Sequence, residues 1–404
     1  DAYAGGIAGQ ADYIFNCYVT GEGVVESVGK SKDNGGPSSN VSSSSRAGGI
    51  VGNLHSSLSN CYATVGVKAS GASDNDVKAN SYAGGIAGFG SSDSRYGLSQ
   101  TYATGVVEAA GDGYNYAGGI YGSHSTGPFS NNLALNPEIK VTGDEGMSGR
   151  IFGKTTSIYN KPSDNYASPK ILVNGYSVSG GADSDMNGDP GVDLGNFRSV
   201  ITWGDGWDTD DDMHLPQLMM QEGEDENGIP TYSPWPTGNG YTPQPLLDAT
   251  RYLNTEFAGD GDEDNPYQIA NRAQLAYLAK QVNGGTENDG KENDKKEDYT
   301  DKYFILTADI DLSPFFWTPI GKDYDHSFKG NFDGKGHCVK GLKVYVESSD
   351  KYTVWAGLFG CTNTGTLCNL GVWLAEEGVH IVYSGSSDAY AGGIAGQAKY
   401  VFNC

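Results

Sequence analysis

The chain has 404 residues, 60 of them glycine and 26 tyrosine, and 50 acidic side chains against 26 basic ones leave a net charge of −24. That balance repels the phosphates of nucleic acids and anionic membrane surfaces, so neither is an expected partner. No segment approaches the roughly 18 consecutive apolar residues of a membrane-spanning helix; the composition suits a turn-dense all-β chain, and the charge suits a soluble, exported protein with room for contact with divalent cations.

The first element is a glycine phrase, YAGGIAG, ending at Gly9. It returns as RAGGIVG ending at Gly52, YAGGIAG at Gly88, YAGGIYG at Gly122, a degenerate MSGRIFG at Gly153, VWAGLFG at Gly360 and YAGGIAG at Gly396. The closing glycines are 43, 36, 34 and 31 residues apart in the first block and 36 apart in the second. Unequal spacing around a fixed phrase predicts constant structural units joined by loops of variable length, the signature of a solenoid.

A second phrase follows each glycine phrase. Asn16-Cys17-Tyr18-Val19-Thr20, Asn60-Cys61-Tyr62-Ala63-Thr64 and Gln100-Thr101-Tyr102-Ala103-Thr104 are close copies, with looser ones at Asn131–Ala134, Asp164–Ala167 and Cys368–Gly371. Both phrases are short, rich in β-formers and bounded by turn residues, so each predicts a strand. Valine-rich tails such as 104–109 add a third. Three strands and three turns per repeat predict a parallel β-helix. The competing β-propeller needs four antiparallel strands and roughly 40 residues per blade, more than the shortest spacing allows.

Within that repeat, Ile7, Ile50, Ile86, Ile120 and Ile394 are expected to point inward in one column. Cys17, Cys61 and Cys404 share a phase and predict a column of small buried side chains rather than a disulfide framework. Tyr3, Tyr82, Tyr116 and Tyr390 also share a phase, which predicts a semi-buried ladder rather than a sugar-binding stripe.

Further along, Asp183, Asp185, Asn187 and Asp189 alternate oxygen ligands with Gly188 at the sixth position, as at the start of an EF-hand loop. Leu194 stands where the bidentate glutamate belongs, so the loop reads first as an acidic, glycine-rich surface turn with no cofactor, and these four residues are the weak calcium candidates. Trp203, Trp207 and Pro216 mark an irregular closing cap. Gln221 to Thr250 holds five prolines (Pro230, Pro234, Pro236, Pro243 and Pro245) and reads as a linker, where proteolysis is expected to nick first. A helix is predicted near Asn271 to Val282, capped by Asn271, with Leu275, Leu278 and Val282 on its apolar face.

The two ends are near copies. Residues 1–17 and 388–404 differ only at Asp12/Lys399 and Ile14/Val401. The expectation is a window on a longer polypeptide. Residues 1–220 would be the later part of one β-helix with its closing cap and 221–250 the linker. Residues 251–404 would be the helix-containing opening cap and first repeats of a second, homologous β-helix.

Gly-Gly-Ile-x-Gly followed by Asn-x-Tyr-Ala resembles the GLUG repeat of secreted and surface proteins of Bacteroidetes type. The order of the opening segment is similar too, from Asn265-Pro266-Tyr267-Gln268-Ile269 through Trp317–Gly321 to Phe328–Gly334. The same order occurs at the N-terminal side of some immunoglobulin A proteases, and Gly204–Asp208 with Leu215-Pro216 resembles the closing segment. The resemblance implies a right-handed β-helix, extracellular or at the cell surface, with no chemistry assigned to the repeat itself.

The histidines, His55, His124, His214, His326, His337 and His380, never make the His-Glu-x-x-His pattern of a zincin peptidase. A polysaccharide lyase or hydrolase needs clustered carboxylates on one face. Between residues 46 and 150 the acids fall mostly in turns, and Arg46, Lys68, Lys78, Arg95, Lys140 and Arg150 read as scattered over different phases. The expected function is therefore a non-enzymatic module for adhesion or contact with a host or cell-surface glycan or protein. The alternative is a carbohydrate-active β-helix enzyme, which acids on adjacent repeats would favour.

Overall fold

The computed structural model describes residues 1–31, 43–73, 78–90, 97–124, 127–143, 145–155, 162–178, 180–181, 186–190, 207–208, 217–224, 230–234, 257–286, 292–293, 297–313, 316–349 and 351–404. The first repeat shows how the phrases become structure. Ala2–Gly5, Ala8–Val19 and Val24–Ser31 are its three strands. The glycine phrase forms the first corner: Ala4-Gly5 close one strand, Gly6-Ile7 bend, and Ala8-Gly9 open the next. Glycine is needed there for close approach. A Cβ on Gly84 would run into the Ala87 carbonyl, and one on Gly85 into the Gly119 carbonyl of the next repeat.

The isoleucine column forms as expected. Ile50 N donates to Ile86 O and Ile86 N to Ile120 O, both at 2.9 Å, and Ile120 N to Ile151 O at 3.0 Å. Ile7, Ile50, Ile86, Ile120 and Ile394 are all buried. A second corner lies at the head of the second phrase. Asn16, Asn60, Asn131, Asn369 and Asn403 take φ of 50–57°, with Gln100 and Asp164 at 55° in the same phase. Asparagine tolerates this left-handed region because its short polar side chain bonds locally. Here it also bonds between repeats: Asn403 Nδ2 donates to Asn369 Oδ1, and Asn369 Nδ2 to Asp333 Oδ1, each at 2.9 Å.

Repeats pair in parallel, residue on equivalent residue. Tyr3 lies opposite Arg46, and Arg46 opposite Tyr82. A seven-stranded sheet and a fourteen-stranded sheet run along the molecule. The sequence reading places residues 1–220 and 251–404 in two separate stacks, but here they share both sheets. Ala2–Gly5 pairs in parallel with Ala389–Gly392, and Ala8–Phe15 with Ala395–Phe402. The physical reason is the copied phrase: each end of the chain presents the edge that its near-copy accepts. Along the stack the C-terminal segment comes first, from Tyr267–Ile269 to Ala395–Phe402, and the N-terminal repeats follow.

The third strands fall in two sheets: Val24–Ser31 is an edge of a six-stranded one, and Gly371–Tyr383 an edge of a three-stranded one.

The helix spans Arg272–Asn283. Asn271 Oδ1 accepts from Ala273 N and Gln274 N at 3.0 Å each, and Leu275, Leu278 and Val282 join the core. Part of the predicted linker is strand: Gln217–Glu224 and Pro230–Pro234 pair antiparallel, while 225–229 and 235–250 lie outside the described residues. At the other end of the stack, Arg150 replaces the second glycine of the phrase and is fully buried. Its guanidinium donates to the carbonyls of Gly180 at 2.6 Å and Gly188 at 3.4 Å. A cation there satisfies backbone carbonyls in the closing turns that follow the last full repeat.

Candidate functional site

The columns predicted from the sequence are structural. Cys17 and Cys61 lie opposite each other, then Cys61 opposite Thr101, Thr101 opposite Asn132 and Asn132 opposite Asn165. All are buried, and the polar members satisfy one another: Thr101 Oγ1 donates to Asn132 Oδ1 at 2.8 Å and Asn132 Nδ2 to Asn165 Oδ1 at 2.9 Å. The cysteines are free thiols. Burial pushes the Cys17 and Cys404 thiols up, which suits packing rather than reactivity. Beside them Tyr18, Tyr62 and Tyr102 stack at 5.2 and 4.8 Å. Trp207 rests on the last two rings, and burial raises the Tyr18 phenol to about 12.

The tyrosine ladder of the glycine phrase is likewise largely internal. Tyr3 and Tyr390 stack at 4.6 Å with rings 7° apart, and Tyr3, Tyr116, Trp355 and Tyr390 are buried. Arg46 takes the place of a ring, its guanidinium 4.9 Å from the Tyr3 centroid and 4.3 Å from Phe89.

Two expectations about charge change. Lys68, Glu108 and Lys140 are not scattered but occupy one phase, and Glu26 extends the row, so the third wall carries alternating charges. Acids do occur on adjacent repeats, at Asp1 and Asp388, yet their oxygens are engaged. Asp1 accepts from Ser44 N at 2.8 Å and the Tyr3 hydroxyl at 2.9 Å, and Arg46 lies 3.6 Å away. Asp388 accepts from the N-terminal amine and the Tyr390 hydroxyl, both at 3.0 Å.

Of the calcium candidates, Asp183 and Asp185 lie outside the described residues. Asn187 Oδ1 accepts a 3.4 Å bond from Arg150 N, and the Asp189 backbone bridges to Tyr166. Among the described residues no group of three or more His, Cys, Asp or Glu could hold a metal ion.

The structure brings together a different set. Tyr13, Phe15, Tyr400 and Phe402 point outward from adjacent strands, partly exposed, while Ile14 and Val401 between them are fully buried. The rings form two parallel pairs, Tyr13 on Tyr400 at 5.3 Å and Phe15 on Phe402 at 5.6 Å. Neighbouring strands carry Ser57 and Ser59 on one side and Thr366 and Cys368 on the other. The rings therefore stand above a floor of small residues.

At one edge lies a depression of about 180 Å³ lined by Gln10, Asp12, Thr362, Asn363, Gln397, Ala398 and Lys399. His55 Nδ1 sits 3.4 Å from Asp12, and Lys399 Nζ lies 5.1 Å from the Tyr400 centroid. The alternation Tyr-x-Phe in both copies was readable as outward-facing. That the copies meet was not.

A perturbed carboxyl lies elsewhere, in the opening segment. Lys329 Nζ at 2.8 Å, with the hydroxyl and amide of Thr300, holds the Asp298 carboxyl down to about 2. A depressed carboxyl contributes stability above its ordinary value, about 3.9, and loses it as pH falls toward 2. Asp298 is surface-exposed, so the contribution is small. Lys329→Ala is expected to return the Asp298 titration toward the ordinary range, read by NMR of its carboxyl carbon.

Neither a family model nor a curated protein matches the chain. Among the described residues no helix is long and apolar enough to cross a membrane. One solved structure similar to the chain is a "putative immunoglobulin A1 protease" from Bacteroides ovatus. It is 25% identical over 51% of this chain and 57% of that one, at a TM-score of 0.33. The chain spans little more than half the length of that protein, and a likeness of this degree assigns neither fold nor activity.

Proposed function

We propose that the protein is a non-enzymatic module, a right-handed parallel β-helix with a helix-containing opening cap, that holds out a sheet face for ligand contact outside the cell. Three strands per repeat and parallel pairing support the β-helix, and crossovers between parallel strands are right-handed in about 98% of cases. The GLUG resemblance supports the extracellular setting.

The observation that carries the ligand-contact reading is where the two end copies diverge. Of their two differences, Ile14/Val401 is a buried, conservative exchange, whereas Asp12/Lys399 sets opposite charges side by side in the polar depression beside the four rings. Partly exposed aromatic rings with adjoining amide and charged groups suit a glycan or a protein loop.

A glycan and host-protein array tests it. Phe15→Ser combined with Phe402→Ser is expected to lower binding at least about tenfold, the scale of one lost aromatic contact, with the melting temperature little changed. No binding by the unaltered protein, or binding that survives the double replacement, overturns the assignment.

A further inference from the structure

Building on the ligand-contact reading, we propose that the depression lined by Gln10 and Gln397 is a carboxylate subsite. It takes one acidic pyranose, a sugar whose ring carries a carboxylate. What points to it is the direction of the glutamine amides, which neighbouring side chains fix.

Two chains of hydrogen bonds set those directions. An indole N–H can only donate, so the 2.9 Å bond from Trp355 Nε1 turns Oε1 of Gln397 toward the preceding repeat. A guanidinium also only donates. Arg46 Nη1 therefore fixes Asn53 Oδ1 at 3.1 Å, which leaves Asn53 Nδ2 to donate to Gln10 Oε1 at 3.1 Å and to His55 Nε2 at 2.9 Å. The Gln10 oxygen is thereby turned toward the following repeat. Neutral His55 must then carry its proton on Nδ1, 3.4 Å from the Asp12 carboxylate.

Gln10 and Gln397 are register partners on adjacent strands, about 4.8 Å apart. With their oxygens drawn to opposite ends of the stack, both amide nitrogens are left on the inner sides, at the depression the two residues line. Among the described residues neither nitrogen has a protein acceptor, and Lys399 on the same rim makes no ion pair, its ammonium lying against the Tyr400 ring. Two amide donors and one cation thus surround a hollow without an acceptor. A carboxylate brings two acceptor oxygens and the opposite charge.

The rest of the rim selects the body that carries the carboxylate. Asp12 keeps lone pairs beyond its His55 contact, and these suit sugar hydroxyls. The stacked rings of Tyr13 and Tyr400 adjoin, with centroids 5.3 Å apart, and offer an apolar surface to a sugar face. A depression of about 180 Å³ has room for one ring rather than several. The net charge of −24 opposes a polyanion, so the fitting ligand is a glycan with an isolated acidic unit.

The probes are methyl glucuronide and methyl sialoside, two sources of a ring carboxylate, titrated against the whole chain. NMR of the Gln10 and Gln397 side-chain amides is the readout. One or both acids should shift these signals, the tighter naming the source, and neutral methyl glucoside should bind at least about tenfold more weakly, the scale of one lost charge-assisted bond. Gln10→Glu and Gln397→Glu keep the acceptor toward Asn53 or Trp355 but replace the inner donor with an oxygen. Each should lower affinity for the acid at least about tenfold with the melting temperature unchanged, as should Lys399→Ala. Trp355→Phe keeps a ring without the N–H; it should weaken the acid and spare the glucoside, as a positioning residue requires. No shift with either acid, equal binding of the glucoside, or acid binding that survives both glutamate replacements would overturn the carboxylate subsite. Those results would leave ligand contact at the rings standing, since that is read separately by the Phe15 and Phe402 replacements. Acetate or an acidic peptide shifting the same amides at lower concentration than either sugar acid would overturn the sugar assignment.

Discussion

Replacing Ile86 by aspartate is expected to unfold the centre of the stack and to cost at least about 4 kcal/mol, the range reached only when an unpaired charge or a large defect enters a core. Ile86 is 0% exposed, and its backbone is bonded on both sides, to Ile50 and Ile120. Its side chain lies within the main cluster of buried apolar residues, where a carboxylate would be desolvated. Because each repeat is buried only against its neighbours, the damage should spread to residues 44–63 and 114–134 first. Thermal unfolding followed by circular dichroism, with amide exchange to locate the loss, checks it. An unchanged melting temperature would show that the column does not face the core. Ile86→Val should cost only about 1 kcal/mol.

The second large effect is a gain. A chain rearranged so that residues 251–404 run directly into 18–220 is expected to melt higher than the chain in its present order. In that chain the repeat at 388–404 continues into Val24–Ser31 as its own third strand. The edge at Gly371–Tyr383 then meets Val24–Ser31 directly, and the wall becomes continuous. Burying the exposed halves of Val25, Val372, Leu374 and Val379 should be worth about 3 kcal/mol in total, at somewhat under 1 kcal/mol each. The corner at Gly393 would also regain the small neighbour, Val19, that its equivalents have. An unfolded or aggregated rearranged chain beside a well-folded one in the present order would sink the idea. A melting temperature equal to the original would show that those two edges do not pair.

Several features were legible before any coordinates because they depend on local chemistry repeated at fixed phase. The Gly-Gly-Ile corner, the inward isoleucines, the column begun by Cys17 and Cys61, and the helix capped by Asn271 each follow from residue type and spacing. Other features were visible as residues but not as roles. Asn16 and its equivalents head a phrase that reads as plain strand, and nothing in propensity shows that they sit at a left-handed corner. Arg150 reads as decay of a glycine phrase, whereas burial turns it into a donor to closing carbonyls. Lys68, Glu108 and Lys140 appear scattered by residue number because the loops between repeats vary in length; only register sets them in one row.

The sequence by itself determined the repeat, its three strands and the small residues at its corners, since a Cβ or a misplaced charge at those positions clashes within a few residues of where it stands. Tertiary structure alone decided what the near-identical ends do. Parallel pairing carries no information about sequence distance: an edge accepts any strand with matching inward residues, whether it lies 40 residues away or at the opposite terminus. Pairing 1–17 with 388–404 assembled the rings of Tyr13, Phe15, Tyr400 and Phe402 and brought Asp12 beside Lys399.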